Sequence, residues 1–162
     1  MEKKITVGNV CFLIDEIKQK ILLLKRSNEP MQNKLTGVGG KTDFLEDINS
    51  SCIREIQEET GLIAREVILK GVVKTILEGK NSSWILFVYI CNDFSGSIKK
   101  CDEGELKWID KEKLFSENII GFIRRILPDI LKEDHFIEGT IVHDIEGTVL
   151  KEDIKVNSKI LI

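Results

Sequence analysis

Apolar and polar positions change rhythm along this chain, and each rhythm predicts an element. Residues 4–14 (KITVGNVCFLI) are β-branched and apolar enough for a strand, 15–19 form a polar turn, and 20–26 (KILLLKR) read as a second strand that completes a hairpin. Residues 27–34, with Asn28, Pro30 and Asn33, predict a loop. In 35–41 (LTGVGGK) three glycines stand within four residues, a loop that can turn tightly or bring backbone close to a ligand. The spacing then becomes helical. Ile48, Cys52 and Ile56 share one face and Ile53 widens it, which predicts a helix capped by Asp47 or Asn49 and ended at Gly61. Strand composition returns in 66–78 and 83–92 around a turn at 79–82. The second of these is apolar from Trp84 to Cys91 and is expected at the centre of a sheet, buried on both faces. An acidic loop at 101–105 leads into a short strand, and 110–114 predict a turn of helix. Ile119, Ile120, Ile123, Ile126 and Leu127 then place a second helix over 117–127, stopped or kinked by Pro128. Residues 136–151 predict a hairpin turning at 144–147, and 152–162 either add an edge strand or fray.

Length and composition narrow the class. The 162 residues suit one domain spanning 1–162, with no repeat or linker. A net charge of −3 argues against a surface for DNA or RNA, yet leaves room for a small phosphorylated substrate if a bound cation supplies local positive charge. Cys11, Cys52, Cys91 and Cys101 are scattered without a CxxC pair, and only two histidines are present, which disfavours zinc. The charged, alternating start MEKKITVGNV predicts a strand rather than a signal peptide, and no apolar run reaches the ~18 residues of a membrane span. Reduced cysteines and the cytoplasm are the expected setting.

The first helix carries the candidate chemistry. Glu55 lies three residues before Glu58 and four before Glu59, so the three carboxylates are neighbours. Like charges at that spacing repel by roughly 0.2–0.5 kcal/mol per pair. A solvated amphipathic face accounts for such a run, and so does a seat for a hard divalent cation. Arg54, four residues before Glu58, can steady that carboxylate.

The flanks favour the cation. Gly40, Glu46, Arg54, Glu55, Ile56, Glu58, Glu59, Gly61 and Leu62 occupy the positions of the Nudix box, glycine–x5–glutamate–x7–Arg-Glu-aliphatic-x-Glu-Glu-x-Gly-aliphatic. The chain, with this box at 40–62, therefore resembles a Nudix hydrolase of the MutT type. One departure is Leu45, where the family usually has glycine.

The resemblance implies an α/β (α+β) fold in which a mixed β-sheet is sandwiched between helices and the catalytic motif is loop–helix–loop. It implies Mg²⁺, with Mn²⁺ as a substitute, held by the Gly40 carbonyl, Glu55, Glu58 and Glu59, with Glu103 from the acidic loop as a further ligand. The general base would be Glu58 or Glu103. For substrate it points to Lys41 and Arg26 near phosphate, Trp108 stacking on a base and Asn118 reading a base edge. Each has a plainer alternative: a solvated loop lysine, an exposed strand-end charge, a core tryptophan and a helix cap. For Glu103 the alternative is a solvated acidic turn. Glu46 is expected to support the site, or to complement the helix dipole, or both. The implied reaction is hydrolysis of a nucleoside triphosphate, such as 8-oxo-dGTP, to monophosphate and pyrophosphate. Leu35 and Thr36 stand where purine-hydrolysing relatives often carry tryptophan or asparagine, so a nucleotide sugar, ADP-ribose or a dinucleoside polyphosphate stays open as the substrate. A nucleotide-binding domain without turnover is the third reading.

Overall fold

A computed structural model describes residues 2–158. The strands are β1 (Lys4–Asp15), β2 (Lys20–Arg26), β3 (Leu35–Thr36), β4 (Val38–Lys41), β5 (Ile63–Leu77), β6 (Ser82–Ser95), β7 (Gly104–Asp110), β8 (His135–His143) and β9 (Val149–Ser158). The helices are α1 (Ile48–Thr60) and α2 (Gly121–Ile130), with a 3₁₀ turn at Lys111–Ser116. Among the described residues the nine strands form one mixed sheet, ordered β3-β2-β1-β6-β5-β8-β9, with β4 beside β1 and β7 beside β2. The β1–β6 and β5–β8 pairs are parallel and the others antiparallel.

Alternation along β1 sorts its side chains to two faces. Cys11 and Leu13 pack with Cys52 and Ile56 of α1, whereas Val10, Phe12 and Ile14 pack with Ile123, Ile126 and Leu127 of α2. The sheet is thus sandwiched between helices, as the resemblance implied. Asp47 caps α1, accepting from the Ser50 N–H at 3.0 Å, and Gly61 ends it at φ +81°, a conformation glycine adopts without a Cβ clash.

β1 shares one edge between two partners, β2 at residues 13–15 and β4 at residues 8–11. Where β1 and β2 part, β3 takes over the β2 edge. The end of β2, the glycine segment and the acidic turn before β7 therefore meet, and the Ser27 N–H holds that turn through the Glu103 carbonyl at 3.1 Å.

The structure corrects several expectations. Residues 35–41 are not a loop but β3 and β4, because Val38 is fully buried and residues 38–41 join the β1 ladder. β5 and β6 reach beyond 66–78 and 83–92, since bulges in β5 break the alternation that marks a strand's length. β6 is central, but only Val88, Tyr89 and Cys91 of it are buried; residues 84–87 are half-open, with Trp84 and Leu86 facing a cavity. Helix α2 begins after residues 118–120, which stay extended against Leu35, and runs past Pro128 to Ile130. A proline in the last turn forfeits one hydrogen bond, and Leu131 N–H still closes on Leu127 O. Residues 152–158 extend β9, paired with β8, whereas Ile160 and Leu161 lie outside the described residues.

Candidate active site

Arg54 is the hub of the acidic helix. Its Nε and Nη2 donate to both oxygens of Glu46, at 2.6 and 2.9 Å. Nη1 donates to Glu55 Oε1 at 3.1 Å and Glu58 Oε2 at 3.0 Å, and Nη2 to the Lys41 carbonyl at 3.1 Å. These five bonds match the five N–H donors of a guanidinium, so one side chain ties α1 to the segments on either side of Glu46. The pairing holds Glu46 at about 2, well below the ordinary carboxylate value. The expected Arg54–Glu58 contact is present, but Glu46 is the principal partner. The long spacing within the box exists to bring that glutamate back to the arginine.

Glu55 and Glu59 point away from each other's partners. The Glu55 carboxylate packs on Gly40, where a Cβ would lie 2.7 Å from its carboxyl carbon and would displace it. Glu59 is 6% exposed and accepts from the Gly39 N–H at 3.0 Å. Burial raises it to about 9, and the hydrogen-bonded Glu103 carboxylate adds to the shift. The shift favours the protonated form of Glu59 beside Glu103. Glu58 is turned outward, its side chain 58% exposed.

Glu59 and Glu103 line a cavity of about 340 Å³, with Arg26, Gly39 and Gly40 also in its wall. The remainder is largely apolar: Pro30 and Met31 of the 27–34 loop, Leu77, Trp84 and Leu86 of the sheet, Phe122 of α2 and His143 of β8. This volume lies in the range of small-molecule sites.

Not every expected residue reaches this cavity. Arg26 lines it, with Nε donating to the Pro30 carbonyl at 3.0 Å. The Lys41 side chain is exposed and absent from the wall. Trp108 lies on the α1 side, stacked on Phe94 with ring centroids 6.0 Å apart, and is a packing residue. Asn118 is exposed in the extended segment before α2, in a separate shallow groove with Lys25 and Lys107, and it neither caps the helix nor meets the cavity. Thr36 is in the wall but Leu35 is buried in the α2-side core. Sequence reasoning missed Trp84, Phe122, Met31 and His143. The apolar run that starts at Trp84 predicts burial on both faces, yet its half-buried indole lies over Gly8 in the cavity wall.

The NUDIX domain profile matches residues 4–130. The chain belongs to the Nudix hydrolase family. Among its relatives, the Nudix hydrolase YvcI of Bacillus subtilis is 28% identical over 135 residues, spanning 81% of this chain and 84% of that one. ADP-ribose pyrophosphatase of Methanocaldococcus jannaschii is 33% identical over 102 residues, 62% of this chain and 60% of that one. Among solved structures, the MutT protein of Bacillus halodurans superposes with a TM-score of 0.82 at 26% identity, covering 92% of this chain and 97% of that one. These likenesses make the Nudix fold and its MutT-type form plain.

A divalent cation fits the Nudix box residues by donor chemistry. Glu55, Glu59, Glu103 and the Gly40 carbonyl offer hard oxygens, and the juxtaposition of Glu59 with Glu103 is one that a bound cation would relieve. The buried Asn9 Oδ1, on the residue paired with Gly40, is a further oxygen without a donor among the described residues. No three acidic, histidine or cysteine side chains among the described residues stand close enough to chelate one ion as they are. Glu58 pairs with Arg54 and Glu59 with Gly39, so the compact triad expected from helix spacing alone is drawn apart by these bonds.

Proposed function

We propose that this Nudix hydrolase cleaves a nucleoside triphosphate, of the oxidised-purine kind such as 8-oxo-dGTP, to the monophosphate and pyrophosphate. The observation that carries this reading is one cavity whose wall joins the carboxylates of Glu59 and Glu103 to the aromatic rings of Trp84 and Phe122. Mg²⁺ or Mn²⁺, when bound by Glu55, Glu59, Glu103 and the Gly40 carbonyl, supplies charge neutralisation at the phosphates and a more acidic water. Arg54 orients Glu55 and Glu58, and Arg26 offers its remaining donors to phosphate oxygens. Glu58 has Oε2 engaged by Arg54, which leaves Oε1 to take the proton of the attacking water. Water adds its oxygen to the α-phosphorus as the bridging oxygen departs with pyrophosphate. Trp84 and Phe122 flank the base. The protein acts as one domain in the cytoplasm, where its four buried free cysteines stay reduced.

A second reading has support in the 33% identity to an ADP-ribose pyrophosphatase: the same machinery splitting the diphosphate of ADP-ribose. One panel separates the two. Unmodified and oxidised dNTPs and ADP-ribose are assayed with and without Mg²⁺, and the products are identified as pyrophosphate or as two monophosphates. Glu58→Gln should lower turnover by about 10²–10⁴-fold on the true substrate with the fold intact. Unchanged turnover removes Glu58 from the mechanism.

A further inference from the structure

We propose that the β8–β9 hairpin, which lies beyond the NUDIX match at 4–130, supplies the residue that distinguishes one base from another: His143, whose Nε2 accepts a hydrogen bond from a ring N–H of the bound purine. The inference rests on the nucleotide reading above and deepens it. His143 is the last residue of β8, 7% exposed, and lines the cavity. Its Nδ1 is 2.7 Å from the Asp144 carbonyl oxygen. A carbonyl can only accept, so Nδ1 carries the hydrogen, and in the neutral imidazole Nε2 keeps a lone pair, with no protein partner for it among the described residues.

The ring is held in place. It lies against Phe122, with ring centroids 4.6 Å apart. The turn that follows is closed by Asp144 Oδ1, which accepts from the Glu146 and Thr148 N–H groups, each at 2.9 Å. Phe122 N–H donates to the Gly147 carbonyl at 3.0 Å, and Lys34 Nζ donates to the Glu146 carbonyl at 2.8 Å. The hairpin turn is therefore anchored both to α2 and to the 27–34 loop, and the imidazole is positioned by its bond to Asp144 and by the Phe122 ring.

A positioned acceptor among apolar walls selects for a donor. Guanine offers a lone pair at N7. Oxidation at C8 places a hydrogen on N7 and makes it a donor, so the same imidazole attracts the oxidised base and repels the unmodified one. A buried group left unpaired by the wrong ligand is penalised more than a merely weaker contact would be.

The test is calorimetric titration of the protein with 8-oxo-dGMP and with dGMP. The wild-type protein should bind 8-oxo-dGMP at least about tenfold more tightly. In His143→Phe, which keeps a ring but no acceptor, the ratio should fall to within about twofold of unity. His143→Gln, with a carbonyl acceptor, should recover part of it. The ligand-side control, 7-methyl-8-oxo-dGMP, lacks the N–H and should bind the wild-type protein about tenfold more weakly than 8-oxo-dGMP, an answer that needs no variant to fold. An undiminished ratio in His143→Phe, a wild-type ratio near one, or full affinity for the methylated ligand each overturns the proposal. Failure of the hydrolase reading registers separately, as no Mg²⁺-dependent turnover of any nucleotide in the panel. Because the ratio is measured on monophosphates, it judges His143 whichever way that panel turns out.

Discussion

The acidic and the apolar walls of the site are assembled in different ways. On the acidic side, Gly39, Gly40, Glu46, Arg54, Glu55 and Glu59 come from one short stretch of chain, drawn together by a guanidinium and a helix turn, and Glu103 joins them from the turn before β7. The apolar lining, Met31, Trp84, Phe122 and His143, comes from a loop, a central strand, a helix and an outer strand. The first depends mainly on charge and hydrogen-bond geometry, the second on which strands are neighbours. Changes to the acidic wall should therefore alter rate and metal affinity, and changes to the apolar wall should alter which base binds.

The largest contrast is expected from pH. Glu59 holds its proton to about pH 9 in the folded protein, whereas an ordinary glutamate in the unfolded chain loses it near 4.5. Between those values the folded state binds the extra proton, so metal-free stability falls as pH rises across that window. A cation must displace the proton, so apparent Mg²⁺ affinity should climb about tenfold per pH unit, some hundredfold from pH 6.5 to 8.5. Thermal melts with and without Mg²⁺ measure both trends, and a flat affinity over that range would show that Glu59 is not a ligand. Glu46 behaves in the opposite sense: its pairing with Arg54 stabilises the fold above about pH 4.5 and is lost as pH falls towards 2.

Arg54→Lys should come next. Three donors on a point charge cannot replace five in a planar fork, so kcat should drop about 10–100-fold with little change in KM. Steady-state kinetics on the substrate found in the panel decide it; a loss below about twofold would reduce Arg54 to a surface ion pair. In the apolar wall, Trp84→Ala should raise KM about tenfold and leave kcat within about threefold, the loss of one stacking surface. The smallest effect sharpens the same comparison: Asn118→Ala should change kcat/KM by less than about twofold, because that side chain is exposed outside the cavity wall. A tenfold loss there would place the base in a different groove.

Much of the fold could be read from residue pattern. The β1–β2 hairpin and the α1 caps follow from alternation, period and the turn chemistry of glycine, whereas the two-helix sandwich was implied by the family resemblance. The misreadings share a cause. Residues 35–41 look like a loop because glycine disfavours strands, yet a partner edge on β1 recruits them. Residues 84–87 look doubly buried because apolar runs usually are, yet they are half-open, with Trp84 and Leu86 facing a cavity. Trp108 and Asn118 carry attractive chemistry in the right neighbourhood of the chain, but strand pairing turns them to other faces.

Residues close in the chain carried part of their own geometry: helix periodicity sets Arg54, Glu55, Glu58 and Glu59 on one short helix, whereas Glu103 joins them only through the pairing of β2 with β7. Trp84, Phe122 and His143 share no such local rule. They meet because β8 runs parallel to β5 and β6 lies beside β1, and strand order is set by packing across the whole sheet rather than by any short run of residues.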